Sequence, residues 1–112
     1  MEINDTTEIG EFCKVFGDTP RNRILEFFLE GREIDFGIGD VAKETGLNRA
    51  TAYNTMEELI GQGFIVPTRK LGNTQLYKLN KNKDEVKALL KAFDMLLENI
   101  VKEHSREQLV EA

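Results

Sequence analysis

Cysteine occurs once in these 112 residues, histidine once, and tryptophan not at all. A lone Cys13 excludes an intrachain disulfide, and a reducing compartment is the expectation. One Cys and one distant His (His104) cannot assemble the four-ligand set of a structural zinc site. No apolar run approaches the roughly 20 residues needed to span a bilayer. The first residues, MEINDTTEIGE, are acidic, the reverse of a secretory or mitochondrial leader, so a cytoplasmic location is expected. Catalytic patterns are missing as well: there is no nucleophile–base–carboxylate set and no phosphate-binding glycine loop. The adjacent acidic pairs Glu57/Glu58 and Asp84/Glu85 fall on expected helices, where neighbours diverge rather than face each other. No catalytic residue, cofactor or metal is expected, and the chain is not read as an enzyme.

Positive charge is also scarce, with 15 Lys and Arg against 20 Asp and Glu, a net charge of −5. That balance argues against indiscriminate coating of nucleic acid. The deficit is uneven. Residues 1–47 carry 11 acidic and 5 basic groups, and residues 82–112 carry 7 and 5. Residues 48–81 reverse the sign, with Arg49, Arg69, Lys70, Lys78 and Lys81 against Glu57 and Glu58. A small positive face on an acidic body still permits contact with DNA.

What is present reads as one mainly α domain with a small β-hairpin; 40% hydrophobic and 31% charged residues are ordinary for a folded chain of this length. Residues 6–16 are expected to form a first helix, capped by Thr6 or Thr7 with Glu8 in its first turn and Ile9, Phe12, Cys13 and Phe16 at helical spacing. Cys13 on that stripe reads as core packing. Asp18-Thr19-Pro20 is a cap followed by proline at the first helical position. It opens a second helix, to about Glu30, whose Ile24, Leu25, Phe27, Phe28 and Leu29 make it central to the core. Glu33–Phe36 alternates as a short strand. Ile38, Val41 and Ala42 give a two-turn helix over Ile38–Thr45, and Gly46 is its left-handed stop. Asn48 caps a fourth helix, residues 49–62, with Ala52, Met56, Leu59 and Ile60 inward and Arg49, Ala50, Tyr53, Asn54 and Glu57 outward. Residues 64–79 form a hairpin turning at Leu71-Gly72-Asn73, with Pro67 restricting its first strand. The last helix, residues 82–109, begins at a capping-box spacing, Asn82–Glu85, and is expected to kink or fray at Ser105–Gln108.

The residues DVAKETGLNRATAYNTMEELIGQGFI (Asp40–Ile65) and RKLGNTQLYKL (Arg69–Leu79) carry a family resemblance. With the helix before them, over residues 20–80, they resemble winged helix-turn-helix transcriptional regulators of the MarR/ArsR-like, archaeal and bacterial type. The resemblance implies a recognition helix at 49–62 in the major groove and a wing at 64–79 on the backbone or minor groove of double-stranded DNA. It carries over Asn48, Arg49, Thr51, Tyr53 and Asn54 on the helix, and Arg69, Lys70 and Asn73 on the wing, as DNA contacts. The sequence departs from the pattern at Asn54, where a basic residue is frequent, and at Glu57, which lowers the expected phosphate attraction. The paired-thiolate site of metal-sensing ArsR-like repressors is absent. No small-molecule effector is indicated.

The final helix holds more apolar surface than a domain this small covers alone. Ile9, Phe12 and Phe16 of the first helix, with Leu89, Phe93, Leu96, Leu97 and Ile100 of the last, are expected to interlock between two chains as a homodimer interface. The alternative is packing of these two helices within one chain. The function expected is a sequence-specific DNA-binding regulator. A winged helix serving as a protein–protein module, in a transcription or plasmid-maintenance assembly, is the other reading, favoured by net acidity and Glu57–Glu58.

Overall fold

A proline-initiated helix forms the centre of the structure. The computed structural model describes residues 9–111, with side chains described for residues 9–103. The described elements run α1 (Glu11–Phe16), α2 (Pro20–Glu30), α3 (Ile38–Thr45), α4 (Arg49–Gly61), β1 (Ile65–Leu71), β2 (Thr74–Leu79) and α5 (Asp84–Glu111). This is the winged helix-turn-helix arrangement expected from the sequence. The Thr19 hydroxyl accepts the Asn22 N–H at 3.1 Å, and Pro20 begins the helix without an N–H to satisfy. From α2, Ile24, Phe28 and Leu29 are fully buried. Around them lie Val41 of α3, Ala52, Met56 and Leu59 of α4, Ile65 and Leu79 of the hairpin, and Val86 of α5.

Three local expectations are corrected. The first helix begins at Glu11, because Gly10 is extended and provides no side-chain cap. Its expected caps, Thr6 and Thr7, and Glu8 lie outside the described residues. The expected strand at Glu33–Phe36 reduces to a single bridge, in which Phe36 and Tyr77 exchange two 2.8 Å hydrogen bonds. A turn at residues 31–33 precedes it and α3 begins at Ile38, so the backbone has no room for a longer ladder. The last helix starts at Asp84 rather than Asn82, because Asn80–Asn82 form a turn in which the Asn80 side chain accepts the Asn82 N–H. It then runs without a break to Glu111, past the expected kink; the side chains of His104 and Ser105–Gln108 lie outside the described residues.

Two backbone devices shape the hairpin. Between Pro67, opposite Tyr77, and Lys70, opposite Gln75, β1 carries one residue more than β2. This bulge lets the strand continue through a proline that cannot donate to the ladder. Gly72, at φ 65°, opens the two-residue turn with Asn73, the positive angle a tight hairpin with glycine at its first turn position demands.

At 28 residues, α5 is about 42 Å long. Val86 and Phe93 bury completely or nearly so, and Arg32 at the end of α2 clamps Asp94 through two nitrogens at 2.7 and 3.2 Å. Beyond Leu96 every described side chain of α5 is exposed, Leu97, Ile100 and Val101 among them. No helix among the described residues is long and apolar enough to cross a membrane.

Candidate nucleic-acid interface

Helix α4 divides cleanly into two faces. Ala52, Thr55, Met56 and Leu59 are buried, whereas Arg49, Ala50, Tyr53, Asn54, Glu57 and Glu58 are exposed and Thr51 is half-exposed. Asn48 caps the helix, accepting the Thr51 N–H at 2.8 Å. Before it, Gly46 takes the left-handed conformation (φ 75°, ψ 11°) that turns α3 into α4. The sharp turn depends on a residue with no Cβ penalty at that angle.

The turn has a second support that sequence reading missed. Arg23 of α2 is only 7% exposed, and its Nη1 donates to the Thr45 carbonyl at 2.8 Å, satisfying the end of α3. Its other nitrogens grip Asp18 at 2.7 and 3.0 Å. The hydrogen bond to Asp18 raises the arginine pKa above its ordinary value against the opposing effect of burial. The signal was an arginine inside an otherwise apolar helix, five residues after an aspartate.

Glycines bring α4, α3 and the wing together. The Arg49 guanidinium lies over the first turn of α3, 3.6 Å from where a Cβ of Gly39 would stand. Two residues earlier, the Thr74 methyl sits so close to Gly37 that a Cβ there would meet it at 2.9 Å. Thr74 is the first residue of β2 and pairs with Leu71 across the hairpin tip. Arg49 of α4 and Thr74 of β2 thus both lie at the N-terminal end of α3, beside Gly39 and Gly37.

The positive segment is less positive than its sequence suggests. Arg69 is held by Asp35 through Nε–Oδ2 at 2.9 Å and Nη2–Oδ1 at 3.3 Å, and the Thr68 hydroxyl donates to the same carboxylate at 2.7 Å. Arg69 first, then Thr68, pull the Asp35 carboxyl down to about 2. Lys78 and Lys81 both pair with Glu33. Three of the five cations of residues 48–81 are therefore met by the acidic loop before α3, whose role the charge count along the chain could not reveal. Among the described residues, Arg49 and Lys70 make no ion pair, and both are exposed, as is Asn73.

The residues expected to bridge two chains separate into two sets. Phe12 and Phe93 are 2% and 4% exposed within their own chain, so they belong to its core and not to a free surface. Phe12 falls on the inner side of the short helix α1, and Phe93 on the part of α5 that packs on the core. Ile9 and Leu89 pack partly against the same core and Leu96 is half-buried. Phe16, Leu97 and Ile100 remain 54%, 43% and 41% exposed, and Val15 and Val101 join them. Cys13 is buried, and burial, followed by Glu26, pushes its thiol up to about 12, far from nucleophilic use. No group of three or more His, Cys, Asp or Glu among the described residues is placed to hold a metal ion.

Residues 23–69 match the model of the IclR helix-turn-helix domain, a stretch from α2 into the first wing strand. No curated protein matches the chain. Solved structures do. One is the homodimeric winged helix-turn-helix DNA-binding domain of a possible ArsR-family transcriptional regulator from Mycobacterium bovis, 22% identical over 81% of this chain and 79% of that one, with a TM-score of 0.55. Another is MepR, a transcription regulator of the Staphylococcus aureus multidrug efflux pump MepA, at 18% identity, 86% and 75% coverage and a TM-score of 0.58. The transcriptional regulator HlyU from Vibrio vulnificus is similar at 23% identity, 66% and 74% coverage and a TM-score of 0.54. At these identities the likeness establishes the fold.

Proposed function

We propose that this winged helix-turn-helix chain is a cytoplasmic, homodimeric transcriptional regulator that reads a specific double-stranded DNA sequence. The observation that carries the reading is the split of α4 into a buried face and an exposed polar face that begins at Arg49, with Arg49 beside Gly39 and the first residue of the second wing strand, Thr74, beside Gly37 at the same end of α3. In this reading Arg49 grips guanine or a phosphate at the start of the recognition helix, and Asn54 pairs with adenine one turn on. Tyr53 rests on the backbone or a thymine methyl, Thr51 donates to phosphate, and Asn48 holds the helix start against the duplex. On the wing Lys70 and Asn73 meet the backbone, and Arg69 joins them only by exchanging Asp35 for a phosphate.

With Arg49 and Lys70 as the two cations of residues 48–81 that make no ion pair among the described residues, a single copy is a weak binder, so the reading needs the dimer. Phe16, Leu97 and Ile100, with Leu96 beside them, supply its apolar seam. Two recognition helices then address half-sites about 34 Å apart on a palindromic or near-palindromic duplex. The named regulators among the similar structures support this assignment without deciding it.

The test is a selection of bound duplexes from a random pool, followed by mobility shifts across a salt series. Four neutralised phosphates per dimer give a slope of log affinity against log salt near −3.6, roughly −0.9 per phosphate. Arg49→Ala combined with Lys70→Ala should abolish the shift. Mutant and wild type behaving alike would instead favour a protein-binding winged helix, for which exposed Glu57 and Glu58 are the observation.

A further inference from the structure

The wing ends in a side chain that the chain itself does not use. Leu71 is 64% exposed, while the other large apolar residues of the hairpin, Ile65, Val66, Leu76, Tyr77 and Leu79, are buried or half-buried. It pairs directly with Thr74, so the two side chains leave the same face of the ribbon. Thr74 lies beside Gly37 at the start of α3, so the hairpin tip that carries Leu71 stands next to the N-terminal end of that helix. Its neighbour Lys70 makes no ion pair among the described residues, while Arg69, one position further back, is occupied by Asp35. The tip therefore offers one available cation beside one exposed apolar group.

We propose that Leu71 is a specificity-determining contact, seated against the deoxyribose walls of the minor groove flanking the half-site, with Lys70 on the adjacent phosphate. This rests on the DNA-binding reading above. The minor groove is about 6 Å wide, and its floor differs mainly in the guanine N2 amino group, which projects where an apolar side chain would sit. A leucine tip thus favours A·T flanks by exclusion. It needs no hydrogen bond to do so, and it is insensitive to salt, because no counterion is displaced by an apolar group.

The experiment uses the full chain and a duplex selected by the wild type, with flanks of A·T, G·C or inosine·cytosine, the last lacking the N2 amino group. Wild type should bind A·T and inosine·cytosine flanks alike and G·C flanks about five- to fiftyfold more weakly, the range for burying part or all of a leucine. Leu71→Ala should lose that discrimination and keep the salt slope, and Leu71→Met should restore it. Lys70→Ala should keep the discrimination and flatten the slope by about 1 per phosphate no longer neutralised. Sedimentation of Leu71→Ala should match wild type; a change of oligomeric state would assign Leu71 to contact between copies and overturn the proposal. Flank discrimination unchanged in Leu71→Ala would also overturn it while leaving DNA binding intact. Absence of any salt-dependent shift by wild type would remove the DNA reading itself, a distinguishable failure.

Discussion

Replacing Asp35 by asparagine removes the carboxylate that occupies Arg69 and keeps the shape of the loop. The perturbation is local, because Asp35 sits on the surface loop before α3 and touches the wing through Arg69 and Thr68 alone among its side-chain partners. An amide oxygen can still accept from Thr68 but cannot neutralise a guanidinium. One cation per chain is released, two per dimer. If the wing approaches the backbone as proposed, the number of neutralised phosphates rises from four to six and the salt slope steepens from about −3.6 to about −5.4. Affinity should rise at low salt and converge with wild type as salt increases. Glu33→Gln serves as the control, since it frees Lys78 and Lys81 nearer the base of the hairpin. Fluorescence anisotropy of a labelled duplex between about 50 and 200 mM salt reads both slopes in the range where such contacts separate. An Asp35→Asn slope equal to wild type would refute the reasoning, since it would place Arg69 out of reach of phosphate even when free.

Four further outcomes follow from the same geometry. Arg23→Met leaves the Thr45 carbonyl without its donor, while the exposed Asp18 stays in contact with water, and should destabilise the fold by about 1 to 2 kcal/mol in urea unfolding, the scale for an acceptor left unpaired on burial. Gly46→Ala forces a side chain into a left-handed position (φ 75°) and should cost about 1 kcal/mol, read as a lower unfolding midpoint. Leu97→Glu with Ile100→Glu places charge on the exposed seam of α5 and should yield a folded monomer by light scattering; a monomeric wild type at micromolar concentration would sink the dimer instead. For pH, Asp35 has a depressed carboxyl pKa, so its stabilising pair is complete above the ordinary value of 3.8 and is lost as pH falls through about 2. Across neutral pH the wing should therefore show no Asp35-linked change in thermal unfolding.

The helices were legible because their signals are local. Thr19-Pro20, Gly46 and Asn48 specify where chain direction changes, and each does so through its own side chain or its lack of one. The buried half of α4 followed from its periodicity for the same reason. What could not be read depends on residues far apart in sequence. Asp35 meets Arg69 across 34 positions, and Arg32 meets Asp94 across 62, so a charge count by segment credits the wing with cations that the loop before α3 already engages. The proposed dimer seam is narrower than the expected one for a related reason: Phe12 and Phe93 have the right periodicity, but only the packed core shows that their own chain consumes them. The helix starts later than expected because periodicity through Ile9 weighs less than the glycine that follows it.

The length of α5 beyond the core has a geometric consequence. Each residue of an α-helix advances about 1.5 Å and turns about 100°. In the proposed dimer the seam formed by Leu97 and Ile100 is tied rigidly to Phe93 and, through Arg32 and Asp94, to α2. The angular phase between the two reading heads is thereby encoded in the count of residues from Phe93 to Leu97. A single residue inserted there would swing the seam off its facing direction. Seven inserted residues would return it to within about 20° while displacing it by roughly 10 Å. Tolerance of such insertions should thus be periodic, and the preferred distance between half-sites should shift in steps along with it.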